Sequence, residues 1–226
     1  MKTMWKILGL LMICGQAVAA DIASLTTGEM AGGLKETLTK SAVAAVGKLG
    51  QENGFLNNEK VKIPLPDSLA RVEGVMRTFG MGKQADELVV AMNRAAEMAV
   101  PEAKTLLIEA VKKMSIQDAR AIISGGDDAA TAYFRKNTED ALGVKFLPMV
   151  KKSTQKVGLA QRYNDFAGKA AKYGLVEEKQ ANIEQYVTQK TLDGLYATIA
   201  EEERAIRKDP VGSGSKLIGK IFGYGR

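Results

Sequence analysis

Residues 122–138, "IISGGDDAATAYFRKNT", decide how the chain folds. Gly125 and Gly126 are typical of the positions that follow a helix C-terminus. Asp127 and Asp128 are typical of a helix N-terminus, where carboxylates accept hydrogen bonds from free N–H groups. The stretch lacks the Lys-Ser/Thr pair of a phosphate loop and the alternating oxygen ligands of a calcium loop. It therefore predicts that one helix ends and another begins here, and not a ligand loop.

Helical periodicity extends in both directions from this boundary. Ser115 and Asp118 form a capping-box pattern that predicts a short helix as far as Ser124. Apolar residues also recur at three- and four-residue steps over residues 28–49, 83–114 and 183–207. Pro101 is expected to restart or kink the second of these helices, because proline fits a first turn better than a helix interior.

The remaining apolar patterns predict three further helices and one extended segment. Pro66 is expected to open a helix, and Pro148 another, since proline favours the first helical turn. The expected buried faces are Leu69, Val72, Met76 and Phe79 in the first helix, and Leu159, Tyr163, Phe166 and Ala170 in one that follows Gly158. Val61, Ile63 and Leu65 alternate with other residues, so a very short extended arm near residues 60–65 is possible. The predicted fold class is all-α, a single multi-helix bundle of about eight helices.

The N-terminus has the pattern of a secretory signal peptide. Lys2 and Lys6 precede an apolar run, and Ala17-Val18-Ala19 forms a cleavage site. We expect residues 1–20 to be removed, residues 21–210 to form the helical domain, and residues 211–226 to form a flexible joint and a short amphipathic basic tail. The alternative is a lipoprotein anchored through Cys14, although Ile13 is larger than the residue that normally precedes such a cysteine. The predicted location is the periplasm, with no transmembrane span.

Composition excludes several classes of chemistry once the leader is removed. The chain has no His, and its only Cys is Cys14. The mature protein would therefore lack Ser-His-Asp and Cys-His nucleophiles, disulfides and the usual ligands of zinc, copper and haem. Removing Lys2 and Lys6 from the 32 basic residues lowers the formal net charge from +6 to +4. We expect no metal, cofactor or nucleic-acid partner, because no basic stripe with interleaved aromatics stands out.

Helical geometry groups five polar residues into one candidate ligand site. Asp86, Asn93 and Glu97 are spaced by seven and four residues, so they fall near one line on a helix. Thr131 and Arg135 share a face of the next long helix in the same way. If the two stripes face each other, Arg135 would meet Glu97 or Asp86. Three interpretations remain open: a solvated charged surface, an internal ion pair, and a pocket in which Arg135 binds a small anionic ligand.

A carboxylate-dependent hydrolase acting on envelope glycan is the alternative function. Without His or Cys, a pair of carboxylates is the remaining general acid and base. Glu97 with Asp86, Asp118 or Glu73 would supply such a pair, but no spacing selects it.

At the C-terminus, the tail of residues 211–226 carries an apolar patch flanked by cations, which would allow weak contact with a membrane surface or a partner groove.

Full-length sequence motifs also identify a family. "NGFLNNEKVKIPLPDSL", "AMNRAAEMAVPEAK", "MSIQDARAIISGGDDAATAYFRKNT" and "YVTQKTLDGLYATIAEEERAIRKDP" resemble the bacterial family known as domain of unknown function 4197. The resemblance implies an exported, largely helical envelope protein, and it carries no reaction, cofactor or catalytic residue. The expected function is therefore that of a soluble periplasmic module that binds a ligand or an envelope partner. We expect it to be non-catalytic, with the hydrolase as the alternative.

Overall fold

The computed structural model describes residues 27–177 and 180–209, and these fold into helices without a strand. The elements in chain order are α1 (Thr27–Leu49), α2 (Asp67–Ala70), α3 (Glu73–Thr78), α4 (Gly82–Ala99), α5 (Ala103–Lys113), α6 (Ile116–Ser124), α7 (Ala129–Thr154), α8 (Gly158–Ala171) and α9 (Ile183–Lys208). The predicted all-α bundle is confirmed. The leader, Cys14 and the C-terminal tail lie outside the described residues.

The two longest helices, α7 and α9, form the centre of the bundle. Three hydrogen bonds between them join Thr131 to Glu203, Thr138 to Tyr196 and Thr154 to Glu184. The order of these partners shows that the two helices are antiparallel. Helix α4 packs on α7, and α1 packs on α5 and α9. The largest fully buried side chains are Tyr196, Phe55, Phe134, Phe146, Leu34, Leu49, Ile63, Leu88, Met92, Leu107, Leu142 and Ile183.

Local sequence signals placed several helix boundaries correctly. Ser115 and Asp118 form the predicted capping box at the N-terminus of α6, and that helix ends at Ser124 with Gly125 as its C-cap. Pro101 lies in a single 3₁₀ turn, Val100–Glu102, that joins α4 to α5. Proline suits this position, because it lacks an N–H group and the first N–H groups of a helical turn have no acceptor within that turn.

The prediction that Pro148 opens a helix is wrong, because α7 continues through this residue. A proline inside a helix removes the hydrogen bond to the carbonyl four residues earlier. That carbonyl belongs to Val144, which is 76% exposed. Water can therefore satisfy the carbonyl, and the apolar residues Phe146 and Val150 keep this part of α7 in the core.

Two predicted apolar faces are also corrected. The helix expected after Pro66 divides into α2 and α3 at Val72, whose backbone leaves helical geometry (φ −104°, ψ 0°). Leu69 and Met76 are buried, but Val72 and Phe79 point outward. On α8, Phe166 is exposed as well, although the other residues of its predicted face are buried. Among the described residues, no helix is long and apolar enough to cross a membrane.

Candidate functional site

Asn93 is one of the five predicted site residues, and it is fully buried in α4. Its Oδ1 accepts a hydrogen bond from Ile63 N–H at 2.8 Å, and its Nδ2 donates to Ile63 O at 2.9 Å and to Val89 O at 2.8 Å. Over the residues that the structure describes, the expected extended arm near residues 60–65 pairs with no strand. The Asn93 amide satisfies the backbone of Ile63 instead.

Glu97 lies one turn further along α4 and holds the same loop, residues 50–66. Its Oε1 accepts hydrogen bonds from Phe55 N–H and Leu56 N–H, both at 3.0 Å, and its Oε2 lies 2.6 Å from Arg94 Nη1. Burial raises the pKa of the Glu97 carboxyl, but the bonds from Leu56, Arg94 and Phe55 outweigh burial and lower it. The predicted alignment of Asn93 and Glu97 on α4 is therefore real, and its partner is the loop.

Asp86 lies on the same helix but in a different environment. It is exposed, and its carboxylate binds Arg77 at 2.6 Å, beside a second bond from Arg77 to Glu73 at 2.7 Å. The hydrogen bond from Arg77 lowers the pKa of Asp86. Asp86 therefore helps to hold α3 against α4, and it does not contact Arg135.

Thr131 belongs to the cap of α7. Its N–H and its Oγ1 both donate to Glu203 Oε2 at 2.9 Å, and Ala130 N–H donates to Glu203 Oε1 at 2.9 Å. Glu203 is buried and is also bound by Arg207 at 2.9 Å. The free N–H groups of this helix are therefore capped by a carboxylate from α9.

This cap corrects the role expected for Asp127 and Asp128. Helix α7 begins at Ala129, as the Gly-Gly-Asp-Asp boundary predicts, with Asp128 as its N-cap residue. The side chain of Asp128 makes no capping bond and binds Arg204 at 2.6 Å instead. The Gly-Gly-Asp-Asp sequence therefore predicts the start of α7 correctly. The carboxylate that caps the helix is that of Glu203, and not that of Asp127 or Asp128.

Arg135 pairs with residues other than those expected. Its Nη1 lies 2.8 Å from Glu139 Oε1 and 3.4 Å from Asp193 Oδ1, and its guanidinium lies 4.6 Å from the centre of the Tyr196 ring. Burial raises the pKa of Tyr196 to about 12. The pairing of Arg135 with Glu97 or Asp86 that two facing stripes would give is therefore not formed, because the Arg135 side chain lies against α9.

The carboxylates considered for hydrolysis are occupied by other groups. The Asp118 carboxylate accepts hydrogen bonds from the Oγ and the N–H of Ser115, which lower its pKa. Glu73 and Asp86 share Arg77, and Glu97 holds the loop. Neither Asp86, Glu97 nor Asp118 has the raised pKa that a general acid requires. Ligand binding by the five predicted residues stays a prediction, but they do not form one common pocket wall.

A different feature, a surface groove of about 470 Å³, lies between α9 and the loop of residues 50–66. Asn93 and Glu97 hold the loop side of this groove in place. The C-terminal end of α1 completes the groove with one lysine. The lining residues are Lys48, Asn58, Lys60, Val61, Ala197, Thr198, Glu201 and Arg204.

Three cations line the groove, and each forms an ion pair with a carboxylate that a bound anion could displace. Lys48 pairs with Glu202, Lys60 lies 2.8 Å from Glu201, and Arg204 binds Asp128. The two lysines are largely exposed, and Arg204 is half exposed, so these ion pairs are weak. An anionic ligand can replace the carboxylates at modest cost, because each cation keeps a charged partner throughout.

Sequence reasoning did not identify this groove. Its cations come from α1, the loop and α9, and more than a hundred residues separate Lys60 from Arg204 along the chain. No periodicity relates such positions. The signal that the sequence did carry is on α9, where Ala197, Glu201 and Arg204 recur at helical spacing among polar residues.

Comparison with known proteins identifies the chain only at the level of a family. A family model described as "Protein of unknown function (DUF4197)" matches residues 24–223. The match confirms the resemblance expected from the sequence motifs. No curated protein and no solved structure matches the chain.

Proposed function

We infer a binding role without catalysis for this chain, which belongs to the DUF4197 family of proteins of unknown function. The ligand carries at least one anionic group and occupies the groove between α9 and the loop of residues 50–66. The observation that supports this proposal most directly is the groove itself. Its volume of about 470 Å³ falls within the range of small-molecule sites, about 300–1,000 Å³.

The charge of the groove indicates the class of ligand. Three of its lining residues, Lys48, Lys60 and Arg204, are cationic, and one, Glu201, is acidic. Val61 and Ala197 add a small apolar surface, and Thr198 and Asn58 add polar groups. This combination suits a small organic anion with a short apolar part better than it suits an uncharged sugar.

Fixed walls support a binding role as well. The loop carries buried Phe55 and Ile63, and its backbone is bound by the buried Asn93 and Glu97. Arg94 adds a bond to Asn53 at 3.0 Å, which stabilises the left-handed backbone of that residue (φ 67°). A groove whose loop is held in this way loses little conformational entropy when a ligand binds.

Ligand binding can be tested with citrate as the anionic probe. We expect citrate to raise the melting temperature of the purified protein, with an effect that weakens as salt increases. The double variant Lys60→Gln/Arg204→Gln should abolish the shift. Lys112→Gln/Lys113→Gln on α5 is the matched control, because it removes two exposed cations outside the groove. A shift of equal size in the groove variant would contradict the proposal.

We also propose that the protein acts in the periplasm after removal of residues 1–20. The support is the arrangement of Lys2, Lys6, the apolar run and Ala17-Val18-Ala19 in the sequence. Mass spectrometry of protein released by osmotic shock should give a chain that begins at Ala20 or Asp21. A chain that retains residues 1–20 would contradict this location, and a mass increased by acyl groups on Cys14 would indicate a lipoprotein.

A further inference from the structure

Contrary to the expectation that the chain has no basic stripe with interleaved aromatics, helix α8 presents a line of alternating cations and aromatic rings to solvent. Arg162, Phe166, Lys169 and Tyr173 follow one another at steps of four, three and four residues, which places them on one face of a helix. Tyr173 follows the same line because Lys172, the C-cap residue, keeps helical backbone angles (φ −61°, ψ −21°). Phe166 is 72% exposed and Tyr173 is 82% exposed. We call these four residues the α8 stripe.

The cations of the α8 stripe differ from those of the groove. Each groove cation has a carboxylate partner. Within the part of the chain that the structure describes, Arg162, Lys169 and the adjacent Lys172 take part in no ion pair. Their charge is therefore available to an anionic partner without displacing a carboxylate first.

A second exposed apolar surface lies beside the α8 stripe. Arg162 lines a small depression of about 140 Å³ together with Met81 at the N-terminus of α4. Two residues before Met81 is Phe79, which is 78% exposed, and Val75 on α3 is 59% exposed. Both α3 and α8 pack on α4, and Met81, which follows α3 closely in the chain, lines the depression beside Arg162 of α8.

The combination of side chains indicates what covers this surface. Phenylalanine and tyrosine insert well into the boundary between headgroups and acyl chains, and lysine and arginine bind anionic headgroups beside them. Phenylalanine, tyrosine and arginine are also common at protein interfaces, but lysine is depleted there, so Lys169 and Lys172 favour a lipid surface over a protein partner. The chain's own C-terminal tail carries Lys216 and Lys220, so its charge has the same sign as that of the α8 stripe.

We propose that the α8 stripe, together with Phe79, binds the surface of a membrane that contains anionic lipid. The aromatic rings enter the interface, and Arg162, Lys169 and Lys172 contact the headgroups. The protein lies on the membrane and does not span it. This contact is independent of the ligand groove, which is lined by α1, α9 and the loop of residues 50–66.

The test is flotation of the full chain with two kinds of vesicle. One kind contains equal parts of phosphatidylglycerol and phosphatidylcholine, and the other contains phosphatidylcholine alone. We expect binding to the first kind and much weaker binding to the second. Phe166→Ser/Tyr173→Ser and Lys169→Gln/Lys172→Gln should each lower the binding constant at least about tenfold.

Matched controls distinguish the α8 stripe from other surfaces. Val144→Ser on α7 removes an equally exposed apolar residue, and Lys112→Gln/Lys113→Gln on α5 removes two exposed lysines. Both controls should bind anionic vesicles as the parent chain does. Because all the substituted residues are exposed, the variants should fold normally, which circular dichroism can verify.

Three results would overturn the proposal. The first is parent protein that does not float with anionic vesicles. The second is stripe variants that bind as tightly as the parent, while Leu217→Ser/Phe222→Ser in the C-terminal tail abolishes binding. The third is a parent chain that sediments as a dimer while the Phe166→Ser/Tyr173→Ser variant sediments as a monomer. This result would assign the surface to a second copy of the chain.

Discussion

The side-chain amide of Asn93 binds the backbone of Ile63 at both its N–H and its carbonyl, at 2.8 and 2.9 Å. This is the pairing that a neighbouring β-strand would provide. A single buried residue of α4 thus replaces a strand, and it holds the loop that forms one wall of the groove. The same arrangement explains how an isolated extended segment exists in an all-helical fold.

Asn93→Ala should destabilise the fold by about 2–4 kcal/mol, because it leaves both polar groups of Ile63 buried and unpaired. Urea denaturation followed by circular dichroism measures the loss. Asn137→Ala is the matched control, since Asn137 is exposed and donates to Tyr133 O one turn earlier in its own helix. The assignment is wrong if the two variants lose similar stability.

Glu203→Ala should cost about 3–5 kcal/mol, since it removes the buried carboxylate that binds Arg207 at 2.9 Å. It also removes the acceptor for Ala130 N–H and Thr131 N–H, so hydrogen exchange at these two amides should accelerate. Asp128→Ala should cost less than about 1 kcal/mol, because it removes only an exposed pair. Equal losses in the two variants would mean that Asp128 caps α7 after all.

Glu97 should make stability depend on pH on the acid side. Its pKa in the folded protein is lowered, so its contribution is present above its ordinary pKa of 4.5 and is lost as pH falls through the folded value. The difference in unfolding free energy between the parent and Glu97→Gln should therefore shrink below pH 4.5. Urea titrations at a series of pH values measure it. A difference that does not change from neutral pH to acid would contradict the role of the carboxylate.

Arg135→Ala should cost only about 1–2 kcal/mol, as expected for half-exposed ion pairs and one cation–π contact. The Arg135 side chain is 39% exposed, and its partner Glu139 is 34% exposed. The larger loss expected of a buried pair with Glu97 does not apply. Thermal denaturation measures the change, and a loss above about 3 kcal/mol would restore the buried-pair interpretation.

Gly194→Ala and Gly143→Ala should change stability in opposite directions. At Gly194 a Cβ atom would lie 2.8 Å from Phe55 Cε1 and 3.3 Å from Val61 Cβ, so we expect a loss of about 1–3 kcal/mol. At Gly143 the nearest atom is Leu192 Cδ1 at 3.9 Å, so alanine should add up to about 1 kcal/mol through helix propensity. Calorimetry of both variants gives the comparison, and a stabilised Gly194→Ala would show that the Phe55 ring moves freely.

Sequence reasoning succeeded where the signal is local. The Ser115–Asp118 box and the apolar spacing of α1 depend on residues within a few turns, and both were located correctly. It failed at Phe166, because helical spacing identifies a face but not whether another element covers it. For the candidate site, Asn93 and Glu97 were rightly placed on one line of α4. Their partners lie 30 to 42 residues away, a distance that no periodicity records.

The cap that Glu203 provides has a consequence for the order of events during biosynthesis. The first turn of α7 depends on a carboxylate 73 residues later in the chain. A polypeptide that is still being synthesised on the ribosome lacks this carboxylate until residue 203 has been added. The α7–α9 pair therefore cannot be completed before residue 203 has been synthesised.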